Sequence, residues 1–245
     1  MPLRESLRRH GDWLFRRRSY VPVALLPLLA AGVAAGAHPV PLARERAWEL
    51  LCFVVSCAGL GVRAWTVGTA PAGTSGRNQG RQVAERLNTT GPYSIVRNPL
   101  YGGNALMWAG VVLYARTPWL ALAVGIAFWI VYERIVYAEE EFLRERFGPA
   151  FVAWAAATPA FVPRPRLYRP AALPFSLRNV LRREYSGLFA LVVLFAAEVL
   201  EWRRFATGRW NADPVWLLAA AAAAVLYVTL RTLKRHTRLL HVEGR

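Results

Sequence analysis

Two short stretches hold most of the side chains able to do chemistry. The first, residues 87–103, reads LNTTGPYSIVRNPLYGG, and the second, residues 138–154, reads AEEEFLRERFGPAFVAW. Arg97, Asn98, Pro99 and Tyr101 put a cation, an amide and a phenol around a proline, while Glu139, Glu140 and Glu141 place three carboxylates in a row. Such a set suits a ligand that is itself polar and partly cationic. Between the stretches lie two apolar segments, residues 100–115 and 119–138, joined by Arg116, Thr117 and Pro118. So short a connection makes antiparallel neighbours, and arms of about 25 to 31 Å can cross a bilayer. The start of the first arm and the end of the second therefore meet at one membrane face, where a polar cofactor can lie beside an apolar substrate.

The composition sets the class. With 55% apolar residues, a mean hydropathy of +0.24 and a net charge of +16 over 245 residues, the chain is too apolar for an ordinary basic nucleic-acid binder. It reads as an all-α polytopic membrane protein. Nearly every basic residue is arginine, which beside abundant alanine reflects coding bias more than phosphate contacts, so only clustered arginines are taken as functional. Cys52 and Cys57 share one apolar segment and give no disulfide framework. His10, His38, His236 and His241 are scattered, and no metal site is expected.

About six transmembrane helices are expected. Residues 1–19 form a basic juxtamembrane segment with Trp13, Leu14 and Phe15 among the arginines, suited to an anionic leaflet. Residues 20–67 hold two helices, 20–37 and 50–67. The small residues Ala35, Gly36 and Ala37 have the form of a signal cleavage site, but two prolines and the long leader argue against cleavage. Arg63, near the end of its segment, can snorkel to the interface and needs no function. Residues 68–168 form a core made of a long polar loop (68–91), the hairpin and an amphipathic helix after Gly148 and Pro149. A loop of that length is expected to bind or cover a ligand. Residues 169–245 add two helices, 185–200 and 215–230. If the N-terminus is inside, most arginines fall on the cytoplasmic side and only Arg44, Arg46, Arg116, Arg203, Arg204 and Arg209 fall opposite. That bias predicts an inner-membrane protein with both termini and the two polar stretches in the cytoplasm.

At this point a resemblance becomes specific. Gly91, Pro92 and Tyr93, then Arg97-Asn98-Pro99-Leu100-Tyr101-Gly102-Gly103, then Glu139, Glu140, Leu143, Phe147, Gly148, Phe151 and Pro159 resemble the isoprenylcysteine carboxyl methyltransferase and phospholipid methyltransferase superfamily over residues 50–165. The resemblance implies S-adenosyl-L-methionine as cofactor, bound without a Rossmann domain where the third and fourth helices leave the membrane. It implies Tyr93, Asn98, Pro99, Tyr101, Glu139 and Glu140 as cofactor-binding residues. Asn98 stands where the family usually has histidine, and Phe151 and Trp154 stand where tyrosines are common. Asparagine exchanges hydrogen bonds but does not titrate. The family's acceptor-binding arginine, one turn before the glutamates, falls on Ile135, with Arg134 adjacent.

Arg97 and Arg134 are the expected catalytic residues, and Arg77, Arg81, Arg97 and Arg134 the expected substrate-binding ones. Guanidinium groups match carboxylate or phosphate bidentately. An anionic oxygen acceptor needs no general base, which leaves alignment and desolvation as the catalytic work. Residues 73–91, GTSGRNQGRQVAERLNTTG, and the later PFSLRNVLRREYSG resemble a bacterial branch associated with methylation of lipid A phosphate. The function expected is O-methylation of an anionic membrane lipid, lipid phosphate first. Alternatives are a prenylcysteine carboxylate or a phospholipid amine as acceptor, a nicotinamide-dependent membrane reductase of the sterol type, and a non-catalytic lipid-binding scaffold.

Overall fold

The structure is a computed structural model that describes residues 2–74 and 84–245. Its elements are α1 (Leu3–Arg17), α2 (Val21–Gly36), α3 (Leu42–Thr69), α4 (Pro92–Ile95), α5 (Pro99–Tyr114), α6 (Pro118–Phe147), α7 (Pro149–Ala157), α8 (Leu177–Thr207) and α9 (Pro214–His236), with a short 3₁₀ turn at Pro165–Leu167. No strand forms among the described residues, and Gly91 and Arg169 make one isolated antiparallel bridge.

α3, α6, α8 and α9 are each long and apolar enough to cross a membrane. They leave Leu50, Leu51, Leu122, Ile126, Leu217 and Val225 exposed, which is the surface a bilayer covers, while their backbone groups are satisfied internally. The six crossings expected are modified at two places. α2 and α5 have 16 residues each, or about 24 Å, short of a hydrocarbon layer of about 30 Å. α2 qualifies only together with α1, to which it is bent by 81°.

α5 is supported mainly by α3, through small residues that let the two backbones approach closely. A Cβ added at Gly59 would strike the Gly103 carbonyl, and one at Gly110 would strike the Cys52 carbonyl and the Ser56 hydroxyl. Ser56 Oγ also donates to the Met107 carbonyl at 2.8 Å. The core joins these helices to α8 through Phe195, which sits 5.2 Å from Phe53 and 5.7 Å from Trp216 between ring centroids.

α3 begins two turns earlier than its apolar run, because its first charges have partners. Arg46 pairs through Nη1 with Glu49 at 2.9 Å and through Nη2 with Asp213, whose other cation, Arg203, lies at 2.6 Å. Asp213 caps α9, its Oδ1 accepting from the Val215 N–H at 2.8 Å.

The basic N-terminal segment is a helix docked on protein. α1 lies along the far end of α6, where Arg4 pairs with Glu141 and Arg8 Nη2 donates to Glu145 at 2.9 Å. Gly11 makes the close approach possible, since a Cβ there would collide with the Arg134 carbonyl and the Ala138 methyl.

Candidate functional site

The α5–α6 turn holds only Ala115, Arg116 and Thr117, with Arg116 in the left-handed region at φ 56°. The helices run antiparallel from it, so the residues opening α5 come beside those closing α6. Asn98 is the residue before α5, and Pro99 starts the helix with its φ already set and no N–H to leave unpaired. Tyr101, one turn in, donates from its hydroxyl to Glu139 Oε1 at 2.9 Å. Arg97 Nη1 donates to Glu140 Oε2 at 3.0 Å. The two stretches singled out in the sequence therefore meet by two direct hydrogen bonds.

The acidic triplet divides by helical rotation. Glu139 and Glu140 line a cavity of about 590 Å³, whereas Glu141 turns to Arg4 and to Arg144, 3.7 Å away. Arg18, following α1, lies 3.9 Å from Glu139. Phe15 of α1, Phe151 and Trp154 of α7, and Tyr93 of α4 also line the cavity. Burial pushes the Tyr93 phenol well above its ordinary range, and nearby Glu139 adds to the shift.

The chain after α7 returns to hold the first stretch in place. The Arg97 N–H donates to the Pro159 carbonyl at 2.9 Å, the Arg164 N–H to the Ile95 carbonyl at 3.0 Å and the Gly91 N–H to the Arg169 carbonyl at 2.9 Å. Asn98 belongs to this clamp, its Nδ2 donating to the Ala160 carbonyl at 3.1 Å. Trp154 Nε1 reaches the Tyr93 carbonyl at 3.3 Å. Tyr93, Arg97, Asn98, Pro99, Tyr101, Glu139 and Glu140 thus share one cavity wall.

Arg134 is not brought there. Its Nη1 donates to the Ile130 carbonyl at 2.9 Å, one turn back on its own helix, and it lies 3.8 Å from Glu133. α1 packs over its backbone, and the guanidinium is not part of the cavity lining. Arg77 and Arg81 lie outside the described residues.

Among the lining residues not expected as site residues, Arg63, Asn104, Tyr132 and Glu184 form one polar cluster. Arg63 does not snorkel. Its Nε and Nη2 donate to the two Glu184 oxygens at 2.8 and 2.9 Å, and its Nη1 donates to Asn104 Oδ1 at 2.6 Å. Asn104 Nδ2 in turn donates to the Tyr132 hydroxyl at 3.0 Å. A charge inside an apolar segment was the available signal, since such residues usually find protein partners. Beyond this pair the cavity becomes apolar along Met107, Trp108 and Val111 of α5 and Ala190, Leu191 and Leu194 of α8.

The segment that builds the polar end has known relatives. Residues 46–150 match the phospholipid methyltransferase family. The protein-S-isoprenylcysteine O-methyltransferase B of Arabidopsis thaliana is 34% identical over 84 residues, covering 34% of this chain and 42% of that one. These 46–150 residues belong to the isoprenylcysteine and phospholipid methyltransferase superfamily. Two other relatives carry metal-resistance names. The cobalt-zinc-cadmium resistance protein CzcN of Cupriavidus metallidurans is 39% identical over 83 residues, 34% of this chain and 38% of that protein. The nickel-cobalt-cadmium resistance protein NccN of Alcaligenes xylosoxydans xylosoxydans is 39% identical over 90 residues, 37% and 41% of the two chains. The chain spans about two-fifths of the length of these curated relatives. No solved structure matches. Among the described residues, no group of three His, Cys, Asp or Glu side chains could hold a metal ion.

The cavity's unsatisfied atoms suit the superfamily's cofactor. Arg97 Nε and Glu140 Oε1 are both buried without a hydrogen-bond partner, one donor and one acceptor. S-adenosyl-L-methionine offers a carboxylate for the first, and an amino group and ribose hydroxyls for the second. Glu139 and the aromatic rings around it suit a sulfonium and an adenine.

Proposed function

We propose that the protein is an S-adenosyl-L-methionine-dependent O-methyltransferase of the membrane, acting on an anionic lipid, with a lipid phosphate of the lipid A type ahead of a prenylcysteine carboxylate. The observation that carries this reading is the composition of this cavity along its length. Its polar end is made by the two superfamily stretches, and its far end by apolar side chains of α5 and α8. Residues 184–194 of α8 run about 15 Å along that wall, half of a hydrocarbon layer of about 30 Å, which is the depth of a lipid chain in one leaflet.

The cavity's charge favours an anion as acceptor. Arg18, Arg63, Arg86, Arg97 and Arg183 line it against only Glu139, Glu140 and Glu184. When bound, S-adenosyl-L-methionine supplies a methyl group on a cationic sulfur, adding positive charge. Glu139 and Glu140 would hold the cofactor's cationic and hydroxyl groups, Arg97 its carboxylate, and Tyr101 keeps Glu139 oriented. Asn98 moves no proton in this scheme. Its amide anchors the Ala160 loop, and an acceptor oxygen already deprotonated at neutral pH asks for no base. Partial burial between α1, α7 and the rings limits the water around these side chains, so that the residues contribute alignment and desolvation. The arginine bias favours a cytoplasmic location for this end of the bundle.

The test supplies methyl-labelled cofactor to membranes containing the protein, with mass spectrometry of the lipid extract. Label expected on a phosphate or carboxylate oxygen supports the reading. Label on an amine, hydride transfer from a nicotinamide, or cofactor binding with no labelled lipid would each refute it.

A further inference from the structure

The Arg63–Glu184 pair is not accounted for by the cofactor. It lies on the cavity wall where the polar end gives way to the apolar end, and its two residues come from α3 and α8. Glu184 lies beyond the segment shared with the superfamily. Both side chains are mostly buried, at 16% and 5% exposure. A buried ion pair is an expensive way to join two helices, since apolar residues of similar size hold as well or better. α3 and α8 use apolar contacts elsewhere, as at Phe53 and Phe195.

The surroundings hold Arg63 in place while leaving it facing the cavity. Gly103 is required for this, because a Cβ there would come 2.6 Å from Arg63 Cγ. Asn104 fixes Nη1, and Tyr132, which fixes Asn104, lies 4.7 Å from the Tyr101 ring between centroids. A continuous set of contacts therefore runs from Glu139 through Tyr101, Tyr132, Asn104 and Arg63 to Glu184. Each of the three guanidinium nitrogens donates one of these bonds, and two of the three go to a carboxylate that a phosphate or carboxylate head can imitate.

We infer that Arg63 is the acceptor-positioning cation and that Glu184 occupies its fork as a resident counter-anion, which the acidic head of the lipid acceptor displaces. This inference rests on the methyl transfer proposed above and names which residues read the acceptor. Displacement makes Glu184 a competitor of the acceptor. Binding of an acidic head then requires the carboxylate to give up Arg63, and neutral or cationic heads have no means of removing it.

Competition gives the two residues opposite signs, which a helix staple does not. In Glu184→Gln the amide still reaches Arg63 but carries no charge, so the KM for an anionic lipid acceptor should fall severalfold. The double variant Arg63→Met with Glu184→Met replaces the pair by apolar side chains of similar size and keeps the fold. There the acceptor KM should rise about tenfold or more, equivalent to about 1.4 kcal/mol. Cofactor affinity, measured by calorimetry on the same preparations, should be unchanged in both. An acceptor KM that is unchanged or raised in Glu184→Gln overturns the inference, as does an unchanged KM in the double variant. If the wild-type protein binds cofactor but transfers no methyl group, it is the methyltransferase reading that fails.

Discussion

Replacing Glu139 by glutamine removes one negative charge from the cavity and little else. The amide is nearly the same size and still accepts from the Tyr101 hydroxyl, now 2.9 Å from Glu139 Oε1. Only the charged partner of the cofactor is lost. A hydrogen bond to a charged group is worth about 1.5–3 kcal/mol, which corresponds to a roughly ten- to hundredfold weaker Kd. Tyr101→Phe is the matching control. It keeps the carboxylate and removes the group that orients it, a neutral donor worth about 1 kcal/mol, so its effect should be only a few-fold. Titration calorimetry of S-adenosyl-L-methionine into detergent-solubilised protein measures both. Arg18, 3.9 Å from Glu139, gives a further expectation: removal of the carboxylate leaves that guanidinium facing the cavity and adds to the penalty on a cationic ligand. Equal affinities for the wild type and Glu139→Gln would refute the assignment of Glu139 to the cofactor. A larger loss in Tyr101→Phe than in Glu139→Gln would mean that the Tyr101 hydroxyl, and not the Glu139 charge, holds the ligand.

Two other perturbations test the frame around the site. Asp213 is 2% exposed; burial alone would push its carboxyl up, but the Val215 N–H, Arg46 and Arg203 together hold it below its ordinary range. Its stabilisation is therefore full above the unfolded carboxylate pKa of about 3.9 and is lost as pH falls through the lower folded value. Asp213→Asn should cost about 3 kcal/mol near neutrality, with the gap to wild type closing in acid when thermal unfolding is followed across pH. Gly11→Val should lift α1 from α6, since the new side chain meets the Arg134 carbonyl. Overpacking of about 1–3 kcal/mol should appear as faster hydrogen exchange in residues 3–17, with the exchange of α3 and α8 unchanged.

The pattern of what was legible follows from where each partner lies in the chain. The polar end of the cavity was readable because its parts are local: Asn98 and Pro99 announce the start of α5, Gly148 and Pro149 announce the end of α6, and a three-residue turn fixes the two helices against each other. The charged residues were misplaced wherever their partners are distant. Arg4 and Arg8 read as a membrane-facing surface, because nothing near them in sequence says that Glu141 and Glu145, 137 positions away, will pair with them. The first two turns of α3 read as loop, because Glu45, Arg46 and Glu49 look solvent-bound until Arg203 and Asp213 are brought against them. Arg63 and Arg134 show the same limit in opposite directions. Strict register before the acidic triplet falls on Ile135, and Arg134 was chosen as the adjacent cation, yet α1 packs over its backbone and its guanidinium returns to the Ile130 carbonyl. Arg63 had a cheap explanation in snorkelling, yet Glu184, 121 positions later, holds it in the cavity wall. A cofactor common to a superfamily can be held by short-range motifs. The surface proposed to meet the acceptor is assembled from α3 and α8, and only tertiary packing brings those two helices together.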